Sequence, residues 1–112
     1  FQAFVAGRSL ELTWREFELL QLLGRNPGRV LDRDSIYQGV WGYAMAHGDR
    51  SVDVFIRKLR QKLEACSPGF RYIHTHFGVG YRFAAESVVP TDRDTPGGAI
   101  ASQNFHMIDT SG

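Results

Sequence analysis

The chain has 112 residues, 43% of them hydrophobic and 22% charged, with a formal net charge of +1. That is the size of one small domain with a single core, and its ordinary balance excludes disordered, collagen-like and membrane classes. No apolar run approaches the ~20 residues that a spanning helix needs. No basic-then-apolar leader opens the chain, and the single cysteine, Cys66, cannot form an internal disulfide. The expectation is a cytoplasmic protein with no membrane partner.

In chain order, Phe4, Val5, Leu10 and Leu12 predict two short strands around Ala6-Gly7-Arg8. The apolar opening at Phe1 gives the expectation of a longer parent. Thr13 followed by Glu16 reads as a capping box, and Phe17, Leu19, Leu20, Leu22 and Leu23 continue as an apolar helix. Asn26-Pro27-Gly28 stops that helix. Val30-Leu31 reads as a brief extended link. Asp32 or Asp34 can then cap a short helix over Ile36, Tyr37 and Val40. A loop spans 42–48, and a third helix is expected over 50–65, opened by Asp49 or Ser51 and stopped by Ser67-Pro68-Gly69. Residues 70–75 and 81–84 read as a hairpin joined through Gly78-Val79-Gly80. From Glu86 onward, prolines, glycines and small polar residues predict a flexible tail, so the domain is expected over 1–85 and the tail over 86–112.

The charge is unevenly distributed. Residues 50–82 hold seven basic and two acidic side chains, whereas the segments on either side are net acidic. A basic block between acidic ones is the footprint of a polyanion-binding surface, although solvated basic faces are also common. Stepping the third helix at about 100° per residue puts Val52, Ile56, Leu59 and Leu63 on one stripe, which must face a core. Arg50, Val54, Arg57, Lys58 and Gln61 fall opposite it, Arg60 and Lys62 lie on the flanks, and Phe55 borders the stripe. Such a face suits the DNA major groove, where arginine pairs with guanine and an apolar group meets the thymine methyl. Flanking cations suit phosphates. The alternative is a solvated helix whose cations provide solubility, with Asp53 engaging Arg57 one turn away.

Leu12-Thr13-Trp14-Arg15-Glu16-Phe17-Glu18-Leu19-Leu20, Asn26-Pro27-Gly28-Arg29-Val30-Leu31, Val40-Trp41-Gly42, the run from Arg50 to Leu63, and Gly78-Val79-Gly80-Tyr81-Arg82-Phe83 appear in one order. Together they resemble the effector domains of OmpR/PhoB-type response regulators. The resemblance implies an α+β winged helix-turn-helix with three helices, a C-terminal β-hairpin wing and an N-terminal β platform, here shortened. It implies a two-component transcription regulator that binds double-stranded DNA, usually in pairs on direct repeats, with a receiver domain upstream. By matching position, Arg50, Ser51, Val54, Arg57, Lys58 and Arg60 are the expected DNA contacts on the helix, and Thr75, His76 and Phe77 those of the wing. Trp41 and Tyr43 match a segment that in some members touches phosphate or RNA polymerase; for Trp41 a core role is the other reading.

Three features depart from the pattern. Family members commonly carry a basic residue before the first wing glycine, where this chain has Phe77 after His76. Phe55 replaces a residue that is polar in many relatives, and is read as extending the core. The platform has room for only about half its strands, unless residues 99–108 supply one. An altered wing also leaves open a winged-helix protein-interaction module that has lost DNA binding. No cofactor, metal site or enzyme activity is expected. His74 and His76 lack a third ligand, the Gly78-Val79-Gly80 run is too short to cradle phosphate, and no nucleophile sits in a recognisable motif.

Overall fold

The computed structural model describes residues 2–5, 7–88 and 105–108. Its elements are β1 (Gln2–Val5), β2 (Arg8–Leu10), α1 (Trp14–Gly24), β3 (Val30–Asp32), α2 (Arg33–Trp41), α3 (Ser51–Cys66), β4 (Phe70–His76), β5 (Gly80–Ser87) and β6 (Phe105–Ile108). Two antiparallel three-stranded sheets, ordered β2-β1-β6 and β3-β5-β4, accompany the three helices. This is the α+β winged-helix arrangement.

Local chemistry sets the helix boundaries. The Glu16 amide donates to Thr13 Oγ1 at 3.3 Å and the Thr13 amide to Glu16 Oε1 at 2.9 Å, so the capping box is complete in both directions. Asp32, rather than Asp34, caps α2 by accepting from the Ser35 amide at 3.1 Å. At the start of α3, Asp49 Oδ1 accepts from the Ser51 amide at 2.7 Å, while Arg50 occupies the cap position without a side-chain bond.

The apolar stripe of α3 is where its period places it. Val52, Ile56, Leu59 and Leu63 are all buried, in one cluster with Leu19, Leu20 and Leu23 of α1, Ile36 and Val40 of α2, and Tyr72, Ile73, Tyr81 and Phe83 of the β4–β5 sheet. Full burial of each such side chain contributes about 1.5–3 kcal/mol, so the stripe fixes which face of α3 is left for solvent. Glu16 is also buried, at 2% exposure, and Lys62 reaches it at 2.6 Å. This contact ties α1 to α3.

Two expectations are corrected. Val30–Asp32 is more than an extended link, because it pairs with β5 as a third strand beside the hairpin. The tail expected over 86–112 holds strand in two places: β5 runs through Ser87, and β6 pairs antiparallel with β1. The platform therefore has three strands, the third drawn from the 99–108 stretch. A four-residue strand is too short to show a period, and its partner lies at the opposite end of the sequence. The parts of the expected tail over 89–104 and 109–112 lie outside the described residues.

Candidate nucleic-acid interface

The solvent face of α3 is basic. Arg57, Lys58 and Gln61 are exposed, and Val54 and Ser51 are half-exposed. Arg50 is 80% exposed and reaches Asp53 only at 3.7 Å. Asp53 does not engage Arg57 as the helix spacing suggested. It turns instead to Arg33 of α2, whose Nε donates to Oδ1 at 2.8 Å, and to Tyr81 of β5, whose hydroxyl donates to the same oxygen. Burial pushes the Asp53 carboxyl up, but the Tyr81 hydroxyl and the Arg33 guanidinium outweigh it, and the group sits below its ordinary value. The carboxylate thus remains charged and pins the first turn of α3 to both α2 and β5. Arg57 is left without an ion-pair partner among the described residues.

The flanks of α3 are held differently. Arg60 Nη2 donates to Thr75 Oγ1 of β4 at 2.8 Å, and its Nε is buried without a partner. These two expected DNA contacts are engaged with each other and fix the wing against the helix. Lys62 donates to Glu16 and, at 2.7 Å, to the Glu11 carbonyl, which directs it away from the Arg57 face. Neither Arg33 nor Tyr81 was singled out from the sequence. Their partner Asp53 lies 20 and 28 residues away, and no local spacing signals such a pairing.

The wing is the β4–β5 hairpin, with His76 opposite Gly80. An added Cβ at Gly80 would lie 1.9 Å from the Leu31 carbonyl oxygen, so only glycine lets β3 close on β5 there. His76 accepts from Arg82 Nε at 3.0 Å, and Phe77 stands 91% exposed at the tip. On the far side of α3, Trp41 stacks on Tyr37 with centroids 4.6 Å apart and meets Phe55 edge-on at 5.3 Å. Phe55 and Trp41 both pack as partly buried neighbours of the core. Tyr43 is 60% exposed and accepts a hydrogen bond from Tyr37, whose phenol that bond pushes up to about 12. Among the described residues no cluster of His, Cys, Asp and Glu suits a metal, and no helix is long and apolar enough to cross a membrane.

Residues 7–83 match the family described as "Transcriptional regulatory protein, C terminal". The chain belongs to that family. Its members are the DNA-binding effector domains of OmpR/PhoB-type response regulators, which fits the helices and wing described above. Over 82 residues the chain is 46% identical to the alkaline phosphatase synthesis transcriptional regulatory protein PhoP of Bacillus subtilis, covering 73% of this chain and 34% of PhoP. It therefore spans about a third of that relative. Among solved structures, the Klebsiella pneumoniae RstA DNA-binding domain in complex with the RstA box is 33% identical, with a TM-score of 0.65 over 73% of this chain and 81% of that one. The DNA-binding domain of CpxR from E. coli is 38% identical, with a TM-score of 0.61 over 69% and 76%.

Proposed function

We propose that this domain reads duplex DNA by laying α3 in the major groove. The supporting observation is the exposed Arg57 beside half-exposed Val54, on a helix whose opposite stripe is locked in the core. Arg57 pairs with a guanine edge and Val54 meets a thymine methyl. Arg50, Ser51 and Lys58 hold phosphates on either side. Arg60 and Thr75 act through each other, setting the angle of the wing, and His76 and Phe77 approach the neighbouring minor groove. The relative RstA was crystallised with its DNA box, which supports the same partner here.

The regulator works in the cytoplasm as part of a two-component system, with a receiver domain elsewhere in the protein and pairs of domains on direct repeats. Exposed Tyr43, with half-buried Trp41 close by in the chain, forms the surface offered to RNA polymerase. The domain performs no catalysis.

The test is selection of bound duplexes from a random pool at near-physiological salt. A recovered motif bound orders of magnitude more tightly than a scrambled duplex is the expected result. Arg57→Ala should then cost about 1–3 kcal/mol on the selected site and relax preference at one position. No enrichment would overturn DNA reading and point to a protein-interaction module.

A further inference from the structure

The wing tip carries no lysine or arginine between His76 and Gly80. What it presents is apolar: Phe77 is 91% exposed and Val79 56% exposed, on either side of Gly78. The tip is also closed and braced. The Val79 amide donates to the His76 carbonyl at 2.9 Å, and Gly78 has φ 75°, a left-handed position that glycine takes without a Cβ penalty. Below the tip, the Arg60–Thr75 and Tyr81–Asp53 bonds fasten the hairpin to α3.

A bare phenyl ring on a braced turn, in a hairpin bonded to the basic helix α3, suits a site that is anionic around its rim and apolar at its centre. The base stack of a duplex between its phosphates has that character. Phe77 opens the turn two residues beyond Thr75, a reach of at most roughly 7 Å, comparable to the depth of the minor groove at about 7.5 Å. We infer that Phe77, with exposed Val79 across Gly78, enters the minor groove beside the α3 site as an apolar wedge and partly unstacks one base step. The inference rests on the DNA reading proposed above. A cation at this position would favour the narrow, strongly negative groove of an A-tract. A wedge favours pyrimidine–purine steps, which unstack easily, and it bends the duplex away from the protein.

The experiment uses the full chain on its selected duplex, with 2-aminopurine placed in turn at each position on the wing side. Binding should raise the fluorescence of one probe as its step unstacks, and the selected motif should hold a pyrimidine–purine step there. Phe77→Ala, at a position too exposed to affect folding, should abolish the rise and weaken binding about fivefold to a hundredfold with an unchanged salt slope. Phe77→Leu should keep part of both effects. Phe77→Arg should bind without the rise, and its salt slope should steepen by about one. If the wild-type chain binds its motif but Phe77→Ala matches it in affinity and fluorescence, the wedge is refuted and the DNA reading stands. If Phe77→Ala changes only the oligomeric state of the free protein, the ring is a contact between copies and the wedge is likewise refuted. If the wild-type chain binds no duplex selectively, both readings fall.

Discussion

Replacing Lys62 with methionine isolates the contact between α1 and α3. Methionine keeps most of the apolar stem but removes the ammonium that reaches Glu16 at 2.6 Å and the Glu11 carbonyl at 2.7 Å. The Glu11 bond is exposed and water replaces it. The Glu16 carboxylate is 2% exposed and would retain the Thr13 amide as its hydrogen-bond donor. Stranding a buried charge typically costs 3–5 kcal/mol. Lys62 is itself 36% exposed, so water reaches part of the vacated site and the expected loss is about 2–3 kcal/mol. For a domain of this size that lowers Tm by roughly 6–15 °C. Burial pushes the Glu16 carboxyl up, but Lys62 and the Thr13 amide more than reverse it, leaving the group below its ordinary value. A depressed carboxyl stabilises the fold above its unfolded pKa, near ~4.3, and that stability is lost as pH falls through the folded value. The gap between wild type and Lys62→Met should therefore be widest at pH 7 and narrow progressively as pH falls below the ordinary carboxyl value of about 4.3. Thermal unfolding followed by circular dichroism at pH 7 and pH 3 reads both effects. A drop in Tm under about 3 °C at pH 7, or a gap that persists in acid, would refute this account of Glu16.

Gly80→Ala places a methyl group against the Leu31 carbonyl and the Asp32 backbone, neither of which can swing aside as a side chain would. It should cost about 3 kcal/mol or more, seen as a lower urea midpoint and loss of amide protection across the β3–β5 pairing. Tyr81→Phe removes one bond to the charged Asp53 but leaves Arg33 in place. The expected cost is about 1.5–3 kcal/mol in urea denaturation, with the Asp53 carboxyl moving upward in an NMR titration; an unmoved carboxyl would remove Tyr81 from its support.

Features whose cause lies within one helical turn were legible in the sequence. Thr13 and Glu16 sit three residues apart and cap as expected, and the spacing of Val52, Ile56, Leu59 and Leu63 alone identified the buried side of α3. Features set by partners remote in the chain were not. The flanking cations Arg60 and Lys62 read as phosphate ligands from their helical positions, yet each finds an acceptor on another element, at Thr75 and Glu16. Helical spacing offers Asp53 to Arg57 in the solvated-helix alternative, and packing gives it to Arg33 and Tyr81. Helical spacing locates a side chain on the cylinder, but only tertiary packing decides which competing partner is nearest. Phe77 reverses the pattern: the sequence marked it as a departure, and its exposure at the closed turn gives the departure a use.

The pairing of β1 with β6 has a consequence for the order in which the protein assembles. Phe4 lies opposite His106, almost the whole chain away, whereas Val5 meets Arg8 across a tight turn. Closing the long loop costs more chain entropy than closing the short one, and a four-residue strand at a sheet edge returns little until the rest is in place. The expected outcome is that the helices and the wing form without β6, which should dock last and peel away first under denaturant, seen in native-state amide exchange as loss of protection at Phe4 before Leu59.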